Sequence, residues 1–352
     1  MANNLKLGNK ITIGDNFPPF IVAEMSGNHN QSLDRAMQIV EAAAKSGAHA
    51  LKLQTYTADT ITLNVKEGEF FIKDKKSLWK GNSLYDLYKV AYTPWEWHKP
   101  LMEKCKELNM LCFSSPFDET AVDFLESLNV PAYKIASFEI THLPLIKKVA
   151  QTGKPVIVST GMASKAEITE TVKTLQDFGC KQYALLKCTS SYPADPKNSN
   201  IMTIPDLKKQ FKCVIGLSDH TMGVGAALGA ISHGANIIEK HFTLDRKDGG
   251  VDSAFSLQPE EMKTLVQESI NAWKSIGKIF YGATESEKGS LKFRRSLYVS
   301  KDIEKNEVFT KENLRVVRPS HGLEPKHYEK VLGKKATKKL LKGTALKWEF
   351  LE

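Results

Sequence analysis

The chain has no uninterrupted apolar stretch approaching the ~18 residues of a membrane-spanning helix, so a helical span is excluded. Cysteine is scarce: Cys105, Cys112, Cys180, Cys188 and Cys213 are odd in number, widely spaced and set mostly among apolar neighbours. That pattern argues against a disulfide framework or a cysteine-based metal knuckle and fits reduced thiols in a core. The opening Met1-Ala-Asn-Asn-Leu-Lys6 lacks the apolar segment of an export signal, and a cytoplasmic location is expected. No RRM, KH or helix-turn-helix signature occurs, and the aromatics of residues 288–352 are too dispersed for a base-stacking platform. Neither nucleic acid nor a membrane is expected as a partner. What is present is a chain of 352 residues, 41% apolar and 25% charged. That is enough for one α/β barrel of about 250 residues with a small appendage.

Charge is unevenly placed. Lys and Arg balance Asp and Glu over residues 1–287, 32 against 32, whereas residues 288–352 carry 17 against 8, so the whole +9 excess lies in the tail. Its lysines are interspersed with acids, which reads mostly as a solvated surface.

Short runs rich in Val, Ile and Leu recur at 20–25, 48–54, 110–115, 132–137, 155–160, 183–189, 213–218 and 236–242, with helical patterns between them. Eight such βα units predict a closed (β/α)8 TIM barrel. Ser32 is placed to cap the first helix, with Gly47 beyond its end; Pro259, Glu260 and Glu261 open the eighth. Residues 281–292 lack periodicity and read as a linker, giving a barrel over 1–280 and a small β-rich domain over 293–352. Residues 55–93 are far longer than an ordinary βα connection and form a candidate lid.

Chemistry in such a barrel gathers at the C-terminal strand ends. The candidates there are Glu24, Lys52 and Gln54, Ser115, Lys134, Ser137 and Glu139 on the first four strands. The later strands offer Ser159 and Thr160, Ser190 and Tyr192, Ser218, Asp219 and His220, and Glu239, Lys240 and His241. Each has a structural alternative: Ser218 or Asp219 as a helix cap, Lys52 as a partner of Glu24 inside the barrel. Together, two lysines and several hydroxyls describe a site for a small, multiply anionic ligand such as a phosphorylated acid. His220 and His241 sit at corresponding points of adjacent strands, within reach of one divalent ion, although such a pair more often only hydrogen-bonds. Gly223-Val-Gly225-Ala-Ala-Leu-Gly229 imitates a dinucleotide-binding turn, but its third glycine comes one residue late, and nicotinamide binding is not expected.

Glu24-Met-Ser-Gly-Asn-His-Asn-Gln31, Leu51-Lys-Leu-Gln-Thr55, Phe113-Ser-Ser-Pro-Phe117, Tyr133-Lys-Ile-Ala-Ser137, Cys188-Thr-Ser-Ser-Tyr-Pro193, Gly216-Leu-Ser-Asp-His-Thr221 and Glu239-Lys-His-Phe242 resemble the sialic acid synthase family. Residues 293–352, with Arg315-Val-Val-Arg-Pro319, are similar to the family's antifreeze-like SAF (β-clip) domain. The resemblance implies a transferase that condenses phosphoenolpyruvate with an acylated amino-sugar, using Mn²⁺ or Mg²⁺, with Co²⁺ as a further candidate. It also implies a domain-swapped homodimer.

Ser190, where Asn is usual in the N-acetylneuraminate branch, and Gly250–Leu257 in place of a Gly-Pro-Asp stretch look like the pseudaminic acid synthase branch. The implied sugar is then 2,4-diacetamido-2,4,6-trideoxy-L-altrose, with N-acetylneuraminate or legionaminate synthesis as the alternative. That branch further implies product used in flagellin glycosylation or surface polysaccharide.

By this resemblance the metal would be held by His220 and His241, and Glu24 would act at the reacting centre. Lys52, Lys134, Ser115, Ser137, Ser190 and Ser218 would hold phosphate and carboxylate. Gln54, Phe117, Glu139, Tyr192 and Asp252 would border the sugar, and Arg318 would come from the partner subunit. Outside the family, a Schiff-base aldolase built on Lys52 or Lys134, and a non-enzymatic binding role for the antifreeze-like domain, are the other readings.

Overall fold

The computed structural model describes residues 4–8, 11–75 and 77–352. The chain divides into two compact units, Met1–Gly277 and Lys278–Glu352. The first begins with an antiparallel hairpin, β1 (Leu5–Leu7) and β2 (Ile11–Ile13), in which Leu5 stands opposite Ile13. Eight parallel strands follow: β3 (Phe20–Glu24), β4 (Ala50–Thr55), β5 (Leu111–Pro116), β6 (Tyr133–Ile135), β7 (Val156–Ser159), β8 (Tyr183–Cys188), β9 (Val214–Asp219) and β10 (Ile237–His241). β10 pairs with β3, and the barrel is closed. The connections carry α1 (Leu33–Lys45), α2 (Ala58–Ile61), α3 (Leu84–Ala91), α4 (Trp95–Glu107), α5 (Glu119–Ser127) and α6 (Leu143–Gln151). They continue with α7 (Lys165–Asp177), α8 (Thr203–Phe211), α9 (Gly225–Ser232) and α10 (Pro259–Ile276).

Every expected barrel strand is present, and the alternation of side chains along a strand explains how the barrel makes both a core and a site. Outward residues such as Ile21, Leu51, Tyr133, Val158 and Ile215 pack against the helices. Inward residues near the strand starts, Val22, Ala50, Ala132, Ile157 and Ile237, form a second core with Leu5, Leu7 and Ile13 of the hairpin. Two residues further along, the same inward rows become Glu24, Lys52, Lys134, Ser159 and Glu239. The barrel interior is therefore apolar below and charged above. Gly216 in one inward row is required by packing: a Cβ there would overlap the Ile237 carbonyl oxygen and the Leu186 side chain.

The helix ends obey their local signals. Ser32 Oγ accepts the Arg35 N–H at 3.2 Å, and Gly47 follows α1 at φ +86°. At α10 the Glu261 carboxylate accepts the Gln258 N–H at 2.8 Å. The fourth strand is shorter than expected, because Ser137–Glu139 turns into a 3-10 helix. All five cysteines are free and buried. Among the described residues no helix is long and apolar enough to cross a membrane.

The second unit has its own core, built on Leu297, Val299, Ile303, Phe309, Leu314 and Leu346. Its strands β11 (Ser296–Val299) and β12 (Leu314–Val317) pair antiparallel, and a short helix, α11 (Tyr328–Val331), follows. Much of the stretch read as a linker is ordered as a 3-10 helix, Glu285–Phe293. The reason is local: the Glu287 carboxylate accepts the Thr284 N–H at 2.9 Å and its hydroxyl at 2.6 Å, a capping box at the start of the turn.

Candidate active site

The parallel register sets the charged layer. His241 stands beside Glu24, Glu24 beside Lys52, and Glu239 beside Ser218. Lys52 Nζ lies 2.9 Å from Glu24 Oε2 and 3.3 Å from Glu239 Oε1, and Lys134 Nζ lies 3.4 Å from that same Glu239 oxygen. Ser218 Oγ donates to it at 3.3 Å, and Gln54 Nε2 donates to Glu24 Oε1 at 2.9 Å. All four charged groups are buried. Burial pulls the Lys52 ammonium down, but Glu239 and Glu24 outweigh it and leave it above its ordinary value. Burial with less compensation lowers Lys134 and, on the acid side, raises Glu24. Burial also pushes the Glu239 carboxyl up, yet Lys134 and Lys52 hold it at about 2. Glu239 is thus the anion that keeps two ammonium groups side by side in the absence of a ligand.

Beside this layer stand the two imidazoles, with ring centroids 5.3 Å apart. His220 Nδ1 lies 2.9 Å from the Thr189 carbonyl, to which it can only donate, so the lone pair of the neutral ring is on Nε2. His241 Nδ1 is buried without a hydrogen-bond partner and lies 3.5 Å from Asp252 Oδ2. Burial, then the neighbouring His220, Lys52 and Lys134, lower His241 well below the usual histidine range. Asp252 also accepts from Ser26 Oγ, a residue held at φ +49°. Among the described residues no cluster of three or more His, Cys, Asp and Glu closes on one point.

A cavity of about 440 Å³ rises above these groups. Its floor and one side carry Lys52, Lys134, Ser218, Glu239, His220 and His241. The 55–93 insertion supplies the other side, which is apolar and aromatic: Tyr56, Ile61, Ile72, Trp79, Leu87 and Tyr88. Trp79 Nε1 donates to the Val251 carbonyl at 2.7 Å, joining the insertion to the loop that carries Asp252. Gly27 lies where these loops meet. A Cβ there would overlap Val251 and stand 2.9 Å from the Ala91 carbonyl oxygen.

Of the residues expected at the site, Gln54, Phe117, Ser137, Glu139 and Tyr192 line this cavity along with the charged groups. Phe117 meets the Tyr56 ring edge-on at 5.1 Å, and Tyr192 lies 4.5 Å from the His220 ring. Ser115 sits behind Lys52, its Oγ 3.4 Å from Nζ. Ser190 lies outside the cavity lining, close to Gly161, whose N–H donates to Ser137 Oγ at 3.1 Å. Arg318 is exposed on the second unit, just after β12. Lys240 and Asp219 leave the pocket: they pair at 2.8 Å, and Lys240 also donates to the carbonyls of Thr221 and Gly223. Glu239 stood among the strand-end acids, but nothing in its sequence neighbourhood gave it the central place it holds. The parity that puts Glu239 on the Lys52 and Lys134 side, and Lys240 on the other, was the available signal.

Glu139 is a separate case. Its Oε2 is buried without a partner, and burial lifts the carboxyl from 4.5 to about 7. The folded state therefore binds more proton than the unfolded chain between those values, so this group's contribution to stability falls as pH rises through that window. Glu139→Gln should be more stable than the parent by about 2–3 kcal/mol at about pH 8, with the gain gone near pH 4.5. Urea unfolding at the two pH values measures it, and an equal difference at both would refute it.

A closed barrel with its buried ionisable groups gathered at the C-terminal strand ends is the architecture of an enzyme. Residues 39–281 match the NeuB family and residues 294–352 the SAF domain. A pseudaminic acid synthase of Campylobacter jejuni subsp. jejuni serotype O:23/36 is 43% identical over 331 residues, 93% of this chain and 95% of that one. An N,N'-diacetyllegionaminic acid synthase of Campylobacter jejuni subsp. jejuni serotype O:2 is 38% identical over 322 residues, 90% and 96% of the two chains. A crystal structure of an N-acetylneuraminic acid synthetase from Leptospira borgpetersenii, in complex with citrate, matches with a TM-score of 0.74 at 33% identity. That match covers 84% of this chain and 97% of the other. The chain belongs to the NeuB family, and it is a condensing synthase with a C-terminal SAF domain.

Proposed function

We propose that the enzyme condenses phosphoenolpyruvate with open-chain 2,4-diacetamido-2,4,6-trideoxy-L-altrose, giving pseudaminic acid and inorganic phosphate. The observation that carries this reading is the pair of buried ammonium groups, Lys52 and Lys134, on the floor of a cavity whose opposite wall is apolar. The lysines suit the phosphate and carboxylate of the enol ester, and the apolar wall suits a deoxy sugar bearing acetamido methyls. The 43% identity to a pseudaminic acid synthase supports the choice of sugar.

In the reaction, C3 of phosphoenolpyruvate forms the new bond to the aldehyde carbon. Water adds at C2, and phosphate departs by cleavage of its C–O bond. Lys52 and Lys134 hold the anionic groups once the ligand takes over part of the role of Glu239, and Ser137 and Ser218 offer hydroxyls beside them. Glu24, fixed by Gln54 and Lys52, is placed to orient the water and hold its proton.

The unpartnered Nδ1 of His241 and the Nε2 lone pair of the neutral His220 are two nitrogen donors of the kind that suits a divalent cation, and these two histidines would be its ligands. When bound there, such an ion supplies Lewis acidity towards the aldehyde oxygen.

Mass measurement of the product, with phosphate release across a panel of sugars, tests the assignment. The altrose-type sugar should be strongly preferred. Preference for N-acetylmannosamine or for the legionaminate precursor would move the enzyme to another branch of the family. A paired assembly in which Arg318 of one chain serves the other is part of this reading. Mixing Arg318→Ala with Glu24→Ala chains should restore activity, and no restoration would count against the exchange.

A further inference from the structure

The apolar wall of the pocket belongs to an insertion with no strand of its own in the barrel, so something must fix where it stands. Both of its ends meet at one side chain. Thr55 is the last residue of β4 and opens the insertion, and Pro94 is the N-cap of α4, immediately after it. His98, fully buried on α4, touches both: Nε2 lies 2.8 Å from Thr55 Oγ1 and Nδ1 lies 3.3 Å from the Pro94 carbonyl oxygen.

The proton order in this chain has one consistent solution. A carbonyl only accepts, so Nδ1 carries the hydrogen and Nε2 the lone pair. Thr55 must then donate to Nε2, and its oxygen receives the Ser114 hydroxyl at 2.6 Å. Burial keeps the His98 imidazole down at about 4, so the ring is neutral and offers one donor and one acceptor. The chain Ser114, Thr55, His98, Pro94 thus ties β5, the end of β4 and the start of α4 together. The Phe124 ring packs edge-on against the imidazole at 5.3 Å. His29 adds a contact on the other flank, its Nε2 3.3 Å from Thr93 Oγ1. The wall begins one residue beyond this knot: Tyr56 follows Thr55 and sets its ring edge against Phe117 and, at 5.7 Å, against Tyr88.

We propose that His98 is a positioning residue for the condensation, one neutral imidazole that staples both ends of the insertion and so fixes the apolar wall against which the sugar packs. The staple itself follows from the geometry, and its effect on the sugar rests on the function proposed above. The phosphoenolpyruvate groups, held by the barrel floor, lie outside its reach.

The test compares His98→Phe, which keeps the ring packing and removes both hydrogen bonds, with His98→Gln, whose amide can donate to Pro94 and accept from Thr55. In His98→Phe the KM for the sugar should rise about tenfold or more while that for phosphoenolpyruvate changes by less than about twofold. His98→Gln should restore most of the difference. Hydrogen exchange on the full-length enzyme should show residues 56–93 exchanging about tenfold faster in His98→Phe, with β6 to β9 unchanged. If His98→Phe does not fold, Thr55→Val, which removes the donor at nearly constant shape, is read in its place. Unchanged exchange in 56–93 overturns the staple, whatever the substrate proves to be. Faster exchange with a parallel rise in both KM values, or no rescue by glutamine, overturns its specific role in the sugar site. A parent enzyme that ignores the altrose-type sugar would fail the functional reading alone, since the exchange result still stands.

Discussion

Lys134→Met is expected to lower kcat/KM for phosphoenolpyruvate by about 10²–10³-fold while leaving the barrel folded. The side chain keeps its length and apolar stem, so the packing around it survives. Glu239 is not stranded either, because Lys52 at 3.3 Å and Ser218 at 3.3 Å still contact it. What is lost is one of two preorganised positive charges in a buried site, where a charge is worth far more than at the surface. Initial-rate kinetics together with a thermal melt check the claim. A variant that keeps its melting temperature and loses less than about tenfold in kcat/KM would remove Lys134 from the anion site. The converse change, Glu239→Gln, removes the carboxylate that both ammonium groups share and should destabilise the ligand-free enzyme by about 3–5 kcal/mol.

His220→Ala and His241→Ala should each lower kcat on the order of 10³-fold, equivalent to roughly 4 kcal/mol of transition-state stabilisation, without unfolding the chain. The two rings face the cavity, His241 from the end of β10 and His220 from the residue after β9. Exhaustive chelation of the parent enzyme should have the same effect, and added Mn²⁺ should reverse it. The alanine variants should not recover with metal at the concentrations that restore the parent. Full turnover in excess chelator would refute the metal assignment and return the pair to a purely hydrogen-bonding role.

The barrel was legible because its signal is local. A run such as Ile237-Ile-Glu-Lys-His241 carries both the strand and the alternation that sends Glu239 and His241 inward and Lys240 outward. The hairpin was not legible. Leu5–Leu7 and Ile11–Ile13 are three residues each, too short for periodicity, and they are strands because the barrel end offers them a core. The rank of Glu239 was hidden for a different reason: its partners, Lys52 and Lys134, are 187 and 105 positions away in sequence, and only barrel closure brings them together. The place of His98 was not legible, since its role depends on where both ends of a long insertion return. The order in Glu285–Phe293 was missed because a single capping box, rather than a periodic stripe, holds it.

The plugged lower end of the barrel imposes a rule on traffic. Among the described residues Leu5, Leu7 and Ile13 fill that end, and the ammonium pair faces the cavity beside the insertion. On the proposed reaction, the enol ester settles deepest and the sugar closes over it, and the phosphate released at the bottom must wait for the nine-carbon acid above it to leave. On that proposed reaction the catalyst would be a blind shaft, loaded and emptied in last-in, first-out order.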